Sequence, residues 1–205
     1  MTVPAKAIPD SAALLVTVAE NAIHRLDEIR LPLHILLENR FGDLNENQEE
    51  LLGSARAAVD AIADELAAMR QIGELESGTR QLRRDRLKIK ELVEALVPML
   101  AAIAKSRGAT IEVDVTPLLP PLHGDGTLLS SALAALLGSV IGAATSGSIG
   151  RIVVTEAGGR FRIEGRGGVP SHPTVAEIAA VRAIEAHRGS VQQRDDGLEI
   201  DLPSA

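Results

Sequence analysis

Between residues 11 and 40 the apolar positions fall into two interleaved rows. Leu15, Ala22, Ile29 and Leu36 recur every seventh residue, and Ala19, Leu26 and Leu33 follow the first three by four. A double row of this kind is the seam of a helix that packs lengthwise against another helix. Asp10 or Ser11 can cap its start. Pro32, inside the pattern, predicts a kink, because it removes one donor from the helix ladder and crowds the preceding turn. Phe41-Gly42-Asp43 reads as a turn, after which the pattern restarts, with Leu52, Val59, Leu66 and Gly73 in one row and Ala55, Ile62 and Met69 in the other. Two long helices joined by a short loop imply an antiparallel hairpin. A lone hairpin leaves apolar positions of both helices in water, so pairing of two hairpins into a four-helix bundle, and therefore a homodimer, is expected.

Beyond about residue 80 the period changes. A helical stretch from about Ile89 to Lys105 precedes alternation over Thr110 to Val115, where Ile111, Val113 and Val115 take turns with Glu112 and Asp114. That is the period of a strand. A helix is predicted near Leu128 to Ile141, and strands over Arg151 to Glu156 and Arg160 to Glu164, joined by Gly158-Gly159. A last helix, about Val175 to His187, stops at Gly189, which suits a C-terminal cap. Short strands at Ser190 to Gln193 and Leu198 to Leu202 turn around Asp196-Gly197. The predicted fold class is α+β: residues 1–79 form the helical hairpin, and residues 80–205 form helices layered on one face of a mixed sheet.

Composition narrows the function classes. The 205 residues suit two compact units, and 45% hydrophobic content with a mean hydropathy of +0.13 is enough for folded cores. Aromatics are confined to Phe41 and Phe161, which argues against a protein that reads nucleic acid by stacking on bases. A formal net charge of −7 disfavours phosphate backbones and anionic lipid as partners of the whole surface. The basic run of Arg80, Arg83, Arg84, Arg86, Lys88 and Lys90 is the local exception and reads as a solvated connector between domains. The lack of cysteine rules out disulfides, thiolate metal sites and thiol catalysis, and the expected compartment is the cytoplasm. Residues 1–10 lack a signal-peptide pattern. The most apolar stretch, Leu128 to Ala144, is diluted by Ser130, Ser131, Gly138, Ser139 and Gly142, and is read as a buried helix and not a membrane span. His123, His172 and His187 are too scattered to suggest a metal centre, and no metal is expected.

The segment Leu26-Asp27-Glu28-Ile29-Arg30-Leu31-Pro32-Leu33 resembles the Ser-His-Glu-Leu-Arg-Thr-Pro-Leu box of histidine kinases, matching at Glu28, Arg30, Pro32 and Leu33. Further segments agree in order. Gly124-Asp125 and the Leu-rich stretch after it resemble the start of that family's nucleotide-binding helix, Gly167-Gly168-Val169-Pro170 the tail of its first glycine box, and Glu185-Ala186-His187-Arg188-Gly189 the end of its last helix. The resemblance spans roughly residues 15 to 203. It implies a dimerisation and phosphotransfer hairpin followed by an α/β-sandwich ATPase-like domain of the Bergerat type.

Departures from the family pattern decide the functional expectation. Asp27 stands where the family has its phosphoacceptor histidine. The two metal- and phosphate-binding asparagines fall on Ala135 and Ser139, the adenine-binding aspartate on Glu164, and the first box glycine on Arg166. Only Ser171-His172-Pro173-Thr174 fill the gap that a long glycine-rich ATP lid occupies in kinases. The resemblance therefore implies that the ATP lid is missing, with no cofactor and no ATP-dependent kinase activity. ChpT-type histidine phosphotransferases are closest in pattern, but they keep the histidine.

Two other histidines are candidate phosphoacceptors: His24, one turn before Asp27, and His34, two turns after it. Asp27 or Glu28 can orient His24, although the plainer reading of both rings is an ordinary surface histidine. Asp27 itself lacks the converging carboxylates of receiver-type magnesium chemistry. The expected function is thus a pseudo-kinase dimer of two-component signalling. Its flank around His24, Asp27, Glu28, Arg30 and His34 would dock a response-regulator receiver domain or a partner kinase. The alternative is a phosphotransferase that relays a phosphoryl group through His24 or His34.

Overall fold

The computed structural model describes residues 10–204. The reading of residues 1–10 therefore lies, Asp10 apart, outside the described residues. The chain divides into two compact units between Thr79 and Arg80.

The first unit is a helical hairpin of α1 (Ser11–Leu37) and α2 (Glu46–Glu76). Asp10 caps α1, its carboxylate accepting from the Ala13 N–H at 2.7 Å, so of the two candidate caps it is Asp10 and not Ser11. Asn45 and Gln48 form a reciprocal capping box at the start of α2, each side chain bonding the other's backbone N–H at 3.0 Å. The helices run antiparallel. Gly73 near the end of α2 lies against Ala12 and Val16 at the start of α1, and a methyl group placed on it would come within 2.7 Å of Val16 Cγ2. α1 continues as helix through Pro32, where the missing N–H leaves the Glu28 carbonyl without its usual helical donor.

The predicted seam is only partly covered within one chain. Ala19 is fully buried and Leu15, Ala22, Leu26, Leu33, Leu52, Val59 and Leu66 are half-buried. Ile29 is 49% exposed and Ile62 48%, and Leu14, Val18, Leu31 and Leu51 are open as well. Leu14, Val18 and Ile29, at helical spacing on α1, thus form a second apolar row that faces outward.

The second unit opens with β1 (Asp85–Leu87) and α3 (Ile89–Ser106), then β2 (Thr110–Val115), β3 (Leu122–Gly124) and α4 (Gly126–Gly142). It continues through β4 (Ile149–Ala157), β5 (Arg160–Arg166), α5 (Val175–Ala186), β6 (Ser190–Arg194) and β7 (Gly197–Pro203). A five-stranded sheet has the order β2-β4-β5-β7-β6, with β2 and β4 parallel and every other pair antiparallel. The small strands β1 and β3 pair antiparallel by themselves. They refine the expectation for residues 80–90: the basic side chains of Arg83, Arg84, Arg86, Lys88 and Lys90 are exposed as expected, but Asp85–Leu87 within the run is a strand. Three residues are too few to show a period, and Asp85-Arg86 offers no apolar alternation.

The helices pack as one layer, α3 and α5 against α4, and α4 against β5 and β7. Ile89, Leu100, Leu128, Leu129, Leu133, Leu137, Ile141, Ile152, Phe161, Ile163 and Ile184 are fully buried between helices and sheet. Alternation along β4 and β5 sends the other set of side chains to the open face. That face is charged: Arg151 pairs with Glu112 at 2.8 Å, Arg162 with Glu199 at 3.3 Å, Arg194 with Glu199 at 2.7 Å, and Arg160 with Asp201. α4 is the buried helix expected of the apolar stretch. Among the described residues no helix is long and apolar enough to cross a membrane.

Candidate functional site

The α1 flank carries the sequence-predicted residues in one solvent-facing band. His24 is 81% exposed, with Glu28 Oε1 4.0 Å from its Nε2 one turn on. His34 is 60% exposed, and its Nε2 is held 3.0 Å from Glu38 Oε1. The two candidate histidines are therefore not equivalent. The Glu38 carboxylate fixes the His34 ring and leaves Nδ1 as its lone-pair nitrogen, whereas His24 has no carboxylate within hydrogen-bonding distance and is the more exposed ring. Arg30 lies 3.6 Å from Asp27, the helix-surface pair that the spacing suggests, and 2.9 Å from Asp60 on α2. The Asp60 contact was not legible in the sequence, since nothing there sets the register between the two helices. Arg56, 3.8 Å from Asp60, extends the same network. Arg30 is thereby fixed across the hairpin, while Asp27, Glu28 and His24 remain open.

In the second unit the four positions that depart from the kinase pattern can be placed individually. Ala135 and Ser139 are half-buried on α4, and the Ser139 hydroxyl donates to the Leu136 carbonyl at 2.9 Å, inside its own helix. Neither offers an amide oxygen to a metal or a phosphate. Glu164 and Arg166, at the end of β5, bond each other, Arg166 Nη2 to Glu164 Oε2, at 2.8 Å. The hydrogen bond and charge of Glu164, together with the charge of Asp196, hold the Arg166 guanidinium above its usual pKa.

Between α4 and α5 lies an apolar hollow of about 200 Å³ lined by Leu136, Ser139, Pro170, Pro173, Ile178 and Val181, among others. It is smaller than the several hundred Å³ usual for a ligand of drug or nucleotide size. The buried acid at its edge, Glu177, is already engaged, accepting from the Thr174 N–H at 2.6 Å and the Thr174 hydroxyl at 2.9 Å in the capping box of α5.

The glycines that resemble a nucleotide-binding box have a packing role here. A Cβ on Gly167 would stand 2.9 Å from the Val140 carbonyl oxygen, and one on Gly168 would strike the Ala143 carbonyl. Bare backbone is needed at both positions because the chain crosses the end of α4. From Gly167 to Thr174 the chain passes directly into α5 with no further element.

The Gly124-Asp125 and His187 segments, remote in sequence, form a clasp. The Asp125 N–H donates to His187 Nε2 at 2.9 Å, and His187 Nδ1 lies 2.8 Å from the Ala183 carbonyl. An imidazole that accepts on Nε2 and meets a carbonyl on Nδ1 is the neutral Nδ1–H tautomer. Asp125 in turn caps α4 through Leu128 N–H at 3.1 Å. Burial pushes its carboxyl pKa up, but the Leu128 and Arg83 N–H groups and the charges of Arg80 and Arg83 outweigh burial and leave it below the ordinary value. No group of three or more potential metal ligands occurs among the described residues.

No protein-family model and no curated protein matches the chain. Solved structures do. The Acinetobacter baumannii histidine kinase AdeS matches with a TM-score of 0.64 at 14% identity, covering 89% of this chain and 97% of that one. Full-length ShkA in complex with AMPPNP matches with a TM-score of 0.71 at 18% identity over 95% of this chain, which spans only 46% of ShkA. The catalytic domain of the histidine kinase ThkA in a nucleotide-free form covers 60% of this chain with a TM-score of 0.52 at 13% identity. The chain thus has a histidine-kinase-like fold, a two-helix hairpin followed in sequence by an ATPase-like α/β domain.

Proposed function

We propose that this chain acts in two-component signalling as a kinase-like homodimer that binds no ATP and regulates a partner by docking it. The docking flank is the α1 band of His24, Asp27, Glu28, Arg30 and His34, and the partner is a response-regulator receiver domain or a histidine kinase. The observation that carries this reading is the contrast between the two units. The polar side chains of Ser139, Glu164 and Arg166 are spent on the chain itself, whereas the α1 band leaves His24, Asp27 and Glu28 exposed beside the open apolar side chain of Leu31. A surface that mixes exposed charge with exposed aliphatic side chains has the composition of a protein interface.

A relay through His24, in the manner of the ChpT-type phosphotransferases, is the second reading. It is favoured over relay through His34 by access, the His24 ring being 81% exposed against 60% for His34. One experiment separates the readings. The purified chain is incubated with phosphorylated receiver domains and with autophosphorylated kinases, and acid-labile label and complex formation are both recorded. Docking without relay gives complex and no label on this chain, and the complex weakens in Asp27→Arg. Label that disappears in His24→Ala selects the relay, and absence of both label and complex across the panel rejects both readings.

A further inference from the structure

We infer that the second unit carries an anion site, distinct from the α1 flank, that takes a small phosphate-bearing molecule. A cavity of about 620 Å³ is lined by Arg83, Arg84, Arg188, His123 and His187, with Leu82 and Pro203 among the apolar walls. This volume lies within the range of small-molecule sites.

Of the six arginines among the described residues without a carboxylate within 4.0 Å, Arg83, Arg84 and Arg188 gather on this one cavity, while Arg25, Arg86 and Arg107 lie outside its lining. The chain has 28 acidic against 21 basic Lys and Arg residues, so an arginine on its surface ordinarily finds a carboxylate. Arg30, Arg40, Arg56, Arg70, Arg151, Arg160, Arg162, Arg166 and Arg194 each have one within 4.0 Å. Among the described residues none lies that close to Arg83, Arg84 or Arg188, and these three line one cavity. Arg83 is partly answered by the buried Asp125, whose carboxyl it helps hold ionised, which leaves Arg84 and Arg188 as uncompensated charges. His123 enters from β3, where it is the cross-strand neighbour of Arg86, another exposed cation.

The cavity is also a built feature. Arg83 is tied to Asp125 through its own N–H, at 3.5 Å, and the His187 clasp joins the end of α5 to the start of α4. Arg188 is held in a left-handed conformation, φ 60°, by its N–H bond to the Glu185 carbonyl at 2.8 Å. The carbonyl end of α5, which on its own would repel an anion, is consumed: the Ala183, Ile184 and Glu185 carbonyls all accept from His187, Arg188 or Gly189. Several guanidiniums around one hollow favour a ligand with more than one negative charge. A phosphate ester supplies close to two, with three acceptor oxygens that match the arginine fork.

The test uses the full chain and inorganic pyrophosphate as the probe, followed by calorimetry and by amide shifts in NMR. The expected result is one saturable site per chain, with shifts concentrated at Arg83, Arg84, Gly124 and Arg188, and affinity falling as salt is raised. Arg84→Gln and Arg188→Gln should each weaken binding by about tenfold, the loss of one charge-assisted contact. Arg25→Gln and Arg107→Gln, which remove exposed arginines elsewhere, should leave it unchanged. Absence of saturation, equal losses in all four variants, shifts outside the cavity, or citrate binding as tightly as pyrophosphate would each overturn the assignment.

Discussion

Arg166 Nη2 lies 2.8 Å from Glu164 Oε2 at the end of β5, so the two positions that resemble the adenine-reading aspartate and the first box glycine of a kinase bond each other. The carboxylate is neutralised by its own strand, and the guanidinium occupies the place of bare backbone. Reversing only this pair should not create a nucleotide site, because Ala135 and Ser139 still supply no amide oxygen and the path from Gly167 to Thr174 still has no lid. Titration with magnesium-ATP should show no saturation to millimolar concentration, either in the native chain or in Glu164→Asp with Arg166→Gly. Micromolar binding by the native chain would refute the loss of the pocket. Binding by the double variant alone would show that this one pair closes it.

Asp125 should make the second unit acid-sensitive. Its folded pKa is depressed, so the stability it contributes is fully present above the unfolded aspartate value of about 3.9 and is lost as pH falls through the lower folded value. Asp125→Asn keeps a capping oxygen but carries no charge. The urea midpoint of the native chain should exceed that of Asp125→Asn at neutral pH and converge on it below about pH 3.9. Asp125→Ala also loses the cap and should cost about 1 to 2 kcal/mol at neutral pH. A gap between native and Asn forms that persists unchanged to the lowest accessible pH would contradict the sign.

Two glycines of α2 should respond oppositely to the same substitution. Gly53 has nothing within 4 Å of an added Cβ, so Gly53→Ala should stabilise the hairpin by up to about 1 kcal/mol through helix propensity alone. A Cβ on Gly73 would stand 2.7 Å from both the Ala12 carbonyl oxygen and Val16 Cγ2. Pushing the helices apart there costs about 1 to 3 kcal/mol, more than the propensity gain, so Gly73→Ala should lower the thermal midpoint. Equal shifts in the two variants would mean that α1 and α2 do not meet at Gly73 in solution.

The parts of this fold that were legible in the sequence are those with a sustained period. The alternation over Thr110 to Val115 matches β2 residue for residue, and the turns at Gly158-Gly159 and Asp196-Gly197 lie where β4 meets β5 and where β6 meets β7. The strands β1 and β3 were illegible because three residues carry no period. The candidate site divides in the same way. Local pairs on one helix, Arg30 with Asp27 and His24 with Glu28, follow from spacing. Contacts made across the fold, Arg30 with Asp60 and Asp125 with His187, depend on packing that no spacing encodes. The basic run from Arg80 to Lys90 was visible as charge, but its convergence with Arg188 on one cavity was not.

The heptad rows carry the last prediction. Within one chain the row of Leu15, Ala19, Ala22, Leu26 and Leu33 is buried or half-buried, while Ile29 and Ile62 remain about half exposed, with Leu14, Val18 and Leu51 also open. Each of these half-exposed aliphatic side chains forgoes about half of the roughly 1.5 to 3 kcal/mol that full burial supplies. A second hairpin laid against this face would recover part of that for both chains. Light scattering on a sizing column should therefore report twice the 21.6 kDa of one chain. Ile29→Glu combined with Ile62→Glu places charge on the outward row without touching the covered one. That variant should elute at the single-chain mass with its helical circular dichroism largely retained. A native chain that is already monomeric at micromolar concentration would remove the bundle, and a double-Glu variant that stays dimeric would move the interface to another face.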